Sequence, residues 1–370
     1  MIQNVDIIYK KYSSGDEYKI IKLHNQVFEC KINIKLWEWL FMSNPAGKSY
    51  IWLAKAKDKL VGHFAAFPVK IKFGKQIIIS SKSCLTMTHP EFRRENIFLN
   101  LSKLLFNDLK NSNITITFGN PNQNSYYAFT HKAGYKNLFG ESGIPYLVKP
   151  LNIDNMLKAL GKNGMLISFP IHTGIFIINV ISKVFNLAFN ESQDLQTSTL
   201  TIRKVSTFNY RFDILWTRCS KDYQIATIRN KEYLNWRYKK NPRNYIIFTA
   251  ENDQDLVGYI VLRKINRFNM QLGIIVDIFT VSINNQICHA LIRKAIEYFK
   301  SENVDAVACL MLKHYFYYSE LRKLGFREIP KLIRPRKFYY AIHFNNKNFY
   351  TSFSKDPHNW YLTWGDTEDG

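Results

Sequence analysis

Apolar and polar residues alternate around Val5, Ile7 and Tyr9, the period of a half-buried strand, and predict a first strand at the N-terminus. A helix ends near Asn44-Pro45, because a proline disfavours helical geometry in the residue before it. Alternation resumes through Leu60-Val61-Gly62, where the glycine allows a bulge or a close backbone approach. The stretch 69–80, VKIKFGKQIIIS, reads as a hairpin turning at Gly74. A β-rich run over 80–90 enters a loop, and a helical pattern spans Leu99 to Leu109. An apolar strand follows at 114–119, then a tyrosine-bearing helix, with Gly134 as its C-cap and Tyr135 opening the next strand.

The same order recurs in the second half. Trp236 and Asn241-Pro242 stand 197 positions after Trp39 and Asn44-Pro45, and Leu256-Val257-Gly258 stands 196 after Leu60-Val61-Gly62. A β-rich run at 274–281, a helical pattern from Ala290 to Phe299 and a strand at 305–312 complete the match, closed by Tyr317-Tyr318 and Gly325-Phe326. So many features in one order indicate a duplicated unit of about 150 residues. Each copy mixes strands and helices around one sheet, so the fold class is α/β with two tandem units. The expected organisation is a first unit over 1–150, a helical linker over 151–200, a second unit over 201–345 and a tail over 346–370.

Composition narrows the class. Apolar residues make up 46% and charged residues 22%, the balance of a folded protein. The formal charge of +22 is spread evenly: residues 1–150 carry 21 basic and 10 acidic side chains, the rest 30 and 19. A diffuse basic excess suits anionic partners such as CoA phosphates, sugar nucleotides, acidic glycans, anionic membranes or nucleic acid. Five cysteines without a CxxC spacing argue against a disulfide framework or a zinc site, and fit a reducing cytoplasm. Residues 165–189 are strongly apolar but broken by Pro170, His172, Asn179 and Lys183, which excludes a clean span. Ile171, Ile175, Ile178, Ser182, Phe185 and Phe189 keep helical spacing, so the stretch reads as an amphipathic helix between the units. Its apolar face packs on protein or lies peripherally on a membrane.

The segment THPEFRRENIFLNL (88–101) resembles the phosphate-binding loop of the GNAT superfamily of acyltransferases. Thr88, His89, Pro90, Phe92, Arg93, Ile97 and Phe98 fall in register with a subgroup found in bacterial surface-polysaccharide settings. GNPNQNS (119–125) and the opening Trp39, Asn44, Pro45, Gly47 strengthen the likeness. Asn96 stands where that pattern carries its first glycine, and Phe98 where it carries a second small residue. Asparagine tolerates the left-handed backbone better than other non-glycine residues.

The resemblance implies acetyl-CoA as co-substrate, with no metal, and an amine or hydroxyl acceptor on a small molecule or sugar. It places the cofactor against Thr86, Met87, Thr88, Arg93, Arg94, Glu95, Asn96, Ile97, Phe98, Asn120, Asn124 and Ser125. A loop that opens a helix with free N–H groups beside two arginines suits a phosphate on physical grounds alone. Backbone N–H groups at Met87 and Thr88 would polarise the thioester, with Thr86 on the other face. The acceptor would attack directly in a ternary complex. Proton-transfer candidates are Tyr126, Tyr127 and His89, with Glu91 and His131 nearby. The position where many relatives carry a tyrosine is Thr130 here and Leu321 in the second copy. That copy reads SINNQICHA after its β-rich run, with no arginine or glycine, so donor binding is expected in the first unit alone.

Two other readings compete. A Fem-like aminoacyl transferase pairs GNAT-like units and takes aminoacyl-tRNA, which the charge suits, although no sustained heptads suggest a coiled-coil arm. A non-catalytic GNAT-fold binding protein would fit the altered loop. Outside the tRNA reading, no nucleic-acid partner is expected.

Overall fold

The computed structural model describes residues 6–140, 143–162, 200–281, 284–329 and 337–367. Among these no helix is long and apolar enough to cross a membrane. The apolar stretch 165–189 lies outside the described residues.

The first copy runs β1 (Ile7–Lys11), α1 (Glu17–Val27), α2 (Ile34–Phe41), β2 (Tyr50–Ala56), β3 (Lys59–Phe73), β4 (Gln76–Thr88), α3 (Ile97–Asn111), β5 (Ile116–Gly119), α4 (Gln123–Tyr127) and β6 (Lys136–Asn137). The chain continues through β7 (Tyr146–Pro150) and α5 (Ile153–Lys162). The second copy follows as β8 (Leu200–Val205), α6 (Arg211–Cys219), β9 (Ile225–Thr227), α7 (Lys231–Leu234), β10 (Ile246–Asn252), β11 (Asp255–Arg267), β12 (Met270–Thr280), α8 (Asn285–Ser301), β13 (Ala306–Leu310), α9 (Phe316–Lys323) and β14 (Arg327–Glu328). Strand β15 (Ala341–Phe344) comes last among the longer strands. The fold is therefore mixed α/β, with two central sheets flanked by helices.

The sheets have matching orders: β1-β2-β3-β4-β5-β15-β6 in one and β8-β10-β11-β12-β13-β7-β14 in the other. In both, the long central strands are antiparallel and the strand after the central helix joins parallel. The strand beyond it comes from the opposite part of the chain. Strand β7, which follows the first copy, pairs with β13, while β15, which follows the second, pairs with β5. Two compact units result. One holds Met1–Gly143, Tyr223–Arg243 and Arg336–Trp360; the other holds Ile144–Asp222, Asn244–Pro335 and Tyr361–Gly370.

Local signals behave as the pattern predicts. Gly74 turns the β3–β4 hairpin with φ +61°, and Gly134 and Gly325 end their helical segments at φ +76° and +86°. α2 starts on Asn33, whose side chain accepts from the Leu36 N–H, and stops before Asn44-Pro45. In the first unit, α3 lays Ile97, Leu101, Leu105 and Leu109 against Ala54, Val61, Phe64 and Ala66, one residue per turn onto one sheet face. In the second unit, Ile287, Leu291, Ala295 and Phe299 of α8 are buried at the same spacing.

The Leu-Val-Gly repeat produces the same device twice. Ala54 opposes Gly62 and Lys55 opposes Leu60, so Val61 is bulged; Ala250 opposes Gly258 and Glu251 opposes Leu256, so Val257 is bulged. Each bulged valine offers its carbonyl to an N–H just past the following long strand, His89 to Val61 and Val281 to Val257, both at 2.8 Å. Within the first unit the repeated tryptophans also meet. Trp39 Nε1 donates to Trp236 O at 2.7 Å and Trp236 Nε1 donates to Trp39 O at 3.1 Å. Their rings stack with centroids 5.1 Å apart.

Candidate functional site

The site grows from an irregularity in β4. Ala65 opposes Cys84 and His63 opposes Met87, so Leu85 and Thr86 together face Phe64. Leu85 takes the extra length with φ +46°, a left-handed backbone that a γ-branched residue adopts only under constraint. Below this bulge β4 pairs in parallel with β5 through Ser81–Thr117 and Lys82–Phe118. Ser83 still reaches the Phe118 carbonyl, and beyond it the two strands part. Gly119 is required at that fork, since a Cβ there would stand 2.4 Å from Ser83 Oγ. The result is a β4 end, Leu85 to Thr88, with one edge on β3 and the other open. The bond from His89 N–H to Val61 O sets the phase, so alternation turns the Met87 backbone toward β3 and that of Thr88 toward the open edge.

The loop after β4 carries the charge. Pro90–Phe92 form one 3₁₀ turn, capped by His89, whose Nδ1 accepts from the Glu91 N–H at 3.3 Å. Burial, then Lys59 nearby, lowers the His89 pKa, which favours the neutral ring that such a cap needs. Lys59 pairs with Glu91 at 3.0 Å and holds that carboxyl below its ordinary range. Arg93, Arg94, Glu95 and Asn96 are exposed, while Ile97 is buried and Phe98 half-buried. Asn96 adopts φ +54°, ψ +14°, the left-handed geometry expected of it, and its side chain caps none of the α3 N–H groups. In the second unit, Asn284 instead accepts from Gln286 and Ile287 at the start of α8. One helix therefore begins with side-chain-uncapped N–H groups beside two exposed arginines, and the other is closed by its own asparagine.

The remaining candidates line the β5–α4 turn or stand away from the open edge. Asn120 donates through Nδ2 to Tyr339 O at 3.1 Å, and its Oδ1 is buried without a hydrogen-bond partner. Ser125 forms a capping box with Asn122 at the start of α4, so its hydroxyl is spent on the helix, and Asn124 is exposed. Tyr126 stacks on Tyr339 at 4.1 Å and its hydroxyl accepts from Asn137 at 2.9 Å. Tyr127 is 59% exposed and stacks on His131. Thr130 bonds back to the Tyr126 carbonyl within the same helical segment. The structure thus brings Thr86, Met87, Thr88, Arg93, Arg94 and Asn96 onto one continuous strand–loop–helix corner.

One residue at this corner is absent from the candidates the sequence suggested. His63 lies on β3 opposite Met87, fully buried, with Nδ1 2.7 Å from the carbonyl of Leu85. Burial pushes its pKa down to about 4, and its Nε2 has no hydrogen-bond partner. Its place between Gly62 and the apolar run Phe64-Ala65-Ala66 is the one feature of the sequence that could have singled it out as an interior polar residue.

Residues 8–137 match the family model of an acetyltransferase (GNAT) domain. No curated protein matches the chain. Among solved structures, the chain is similar to a GCN5-related N-acetyltransferase from Anabaena variabilis, with TM-score 0.62 and 14% identity over 92% of this chain and 73% of that one. A probable N-acyltransferase from Enterococcus faecalis gives TM-score 0.62 and 12% identity over 92% and 72%. Saccharomyces cerevisiae N-myristoyltransferase, solved with myristoyl-CoA and inhibitors, gives TM-score 0.60 and 14% identity over 92% and 80%. At these identities the likeness is one of fold: the chain has a GNAT-type α/β architecture.

Proposed function

We propose that the protein is an acyl-CoA-dependent acyltransferase whose donor site is the β4–α3 corner of the first unit. The observation that carries this reading is the corner itself: an open β4 edge beyond a bulge runs into a side-chain-uncapped helix start flanked by Arg93 and Arg94. The helix N–H groups and the two guanidinium groups would take the CoA pyrophosphate, and the open edge would take the pantetheine arm. The thioester carbonyl would then lie at the bulge, where fixed backbone N–H groups stabilise the charge that develops as the acceptor attacks. An acetyl group is the proposed cargo, and an amine or hydroxyl of a small molecule or sugar the proposed acceptor. The sugar, and a place in polysaccharide assembly, rest on the loop resemblance. Attack is direct, within a ternary complex, and the acceptor loses its proton as the CoA thiolate departs. Tyr126, Tyr127 and His89 are the candidate proton carriers. The His89 ring is already engaged as a cap, and the Tyr126 hydroxyl is bound to Asn137.

Calorimetric titration with acetyl-CoA, CoA and myristoyl-CoA tests the donor. Saturable binding of acetyl-CoA at one site, abolished by R93E/R94E, is expected. Tighter binding of myristoyl-CoA would reassign the cargo to a long chain, as in the yeast neighbour. Binding unaffected by R93E/R94E would remove the corner as the donor site. The charge of +22 leaves aminoacyl-tRNA as the second reading. Salt-dependent tRNA retardation without any acyl-CoA binding would favour it.

A further inference from the structure

The bulge that opens β4 is not self-supporting. Leu85 sits in a left-handed backbone with no glycine to ease it, a geometry that costs on the order of 1 kcal/mol or more. His63 is the side chain that holds its carbonyl. A carbonyl only accepts, so Nδ1 must carry the proton and Nε2 must be bare. The ring is completely buried, set against Phe41 of α2, and Nε2 finds no partner there. An apolar residue there would remove the unpartnered Nε2 but strip the Leu85 carbonyl of the donor that His63 supplies, and a buried polar group left unsatisfied costs about 1–3 kcal/mol. The bond from Nδ1 to the Leu85 carbonyl is therefore what this buried imidazole contributes to the bulge.

What that bond does follows from peptide geometry. In a trans peptide the C=O and the next N–H point in opposite directions. Holding Leu85 O toward His63 therefore turns the Thr86 N–H the other way. Phe64, which faces the two bulge residues, lies between His63 and Ala65, whose backbone groups are the ones in phase with β4. Thr86 N–H is thus free of the β3 ladder. The second unit differs at the same register. Tyr259, opposite Phe279 as His63 is opposite Met87, donates instead to the side chain of Asp277 at 3.0 Å.

We propose that His63 is a positioning residue: its bond to Leu85 O locks the Leu85–Thr86 peptide so that the Thr86 N–H is aimed at the thioester carbonyl of the acyl donor. This rests on the donor site proposed above. His63 touches neither the donor nor the acceptor.

The test needs no acceptor. The carbonyl stretch of acetyl-CoA, isotopically labelled at the thioester carbon, is read by difference infrared spectroscopy on the full-length protein, beside Kd values for acetyl-CoA and CoA. Wild type should shift the bound carbonyl to lower frequency. His63→Leu should return it to the solution frequency and weaken acetyl-CoA by up to about tenfold while CoA stays within about twofold, the loss of one oriented hydrogen bond. His63→Asn, which keeps an N–H near the Nδ1 position, should restore the shift. An unchanged frequency in His63→Leu overturns the proposal. Should that variant fail to fold, nitrogen NMR of the wild-type ring decides: a proton on Nε2 instead of Nδ1 overturns it equally. Failure of wild type to bind either ligand would sink the donor site itself, a result distinct from binding without a carbonyl shift.

Discussion

Gly62 ties the fold to the site, and replacing it tests that tie. A Cβ at Gly62 would stand 2.5 Å from Ile97 Cγ2, 3.0 Å from Ala54 Cβ and 3.1 Å from Leu101 Cδ1. Ile97 is the first residue of α3, directly after the left-handed Asn96, so the methyl of Gly62→Ala pushes on the start of the helix that frames the anion site. Overpacking a filled core by one methyl costs about 1–3 kcal/mol. For a unit of this size that corresponds to a Tm lower by roughly 2–4 °C per kcal/mol. The displacement falls on the N–H groups proposed to bind phosphate, so acetyl-CoA should weaken by more than the stability loss alone would cause under native conditions. The repeat supplies a matched control. A Cβ at Gly258 would meet Thr280 Cγ2 at 2.9 Å, Phe279 O at 3.1 Å and Ile287 Cγ2 at 3.2 Å, so Gly258→Ala should destabilise similarly. It should leave acetyl-CoA affinity at the wild-type value. Scanning calorimetry gives the first quantity and titration at 25 °C the second. Equal affinity losses in both variants, or a Gly62→Ala protein with wild-type Tm and affinity, would refute the argument that this contact sets the loop.

Other expectations follow from single contacts. Asn96→Gly should stabilise the protein by a few tenths to about 1 kcal/mol, because φ +54° is strained for any side chain, and should tighten acetyl-CoA binding; a weaker complex would mean that the asparagine side chain itself contacts the ligand. Trp39→Phe and Trp236→Phe should each lose more than about 1 kcal/mol in urea unfolding, since each removes one indole N–H bond to a buried carbonyl, and the double variant less than their sum, since the two rings stack on each other; strict additivity would show that the stacking contributes nothing. His63 makes stability pH-dependent in a defined direction. Its pKa falls from 6.5 to about 4 on folding, so only the unfolded chain takes up the proton in that window. Stability is complete above pH 6.5 and is lost as pH falls toward 4, by on the order of 3 kcal/mol. His24, also lowered chiefly by burial, acts in the same direction. Urea midpoints at both ends of the window should converge partly in His63→Phe, and an undiminished pH dependence there would show that other groups carry it.

The legible parts of this protein are those whose physics is local. Gly74, Gly134 and Gly325 sit at positive φ where turns and helix ends were expected. Leu-Val-Gly forecast a bulge or a close approach and gives both at each copy. Asn96 adopts the left-handed geometry that its chemistry permits. Two features escaped for a common reason. The β-rich run over 80–90 carries no sign of its bulge, because the bulge falls on Leu85 and is held by His63, 22 positions earlier, instead of by a glycine. Likewise neither β7 nor β15 is among the elements read from the sequence, and a strand's own sequence records the faces it buries and not the neighbour that completes its hydrogen bonds. Lys149 makes this concrete. It lies next to Pro150 at the end of the first copy, yet its Nζ donates to the Leu324 carbonyl at 3.0 Å, 175 residues away, inside the second unit. The pairing of β7 with β13 and β14 brings this carbonyl within its reach. If strand exchange is what fixes Lys149, then Lys149→Met should be tolerated better than Lys149→Ala. Both variants take the donor away from the Leu324 carbonyl, but the methionine keeps the apolar stem in place, whereas alanine adds a cavity costing about 2 kcal/mol or more. Equal unfolding midpoints for the two would argue that the stem is not packed between the strands of the second sheet.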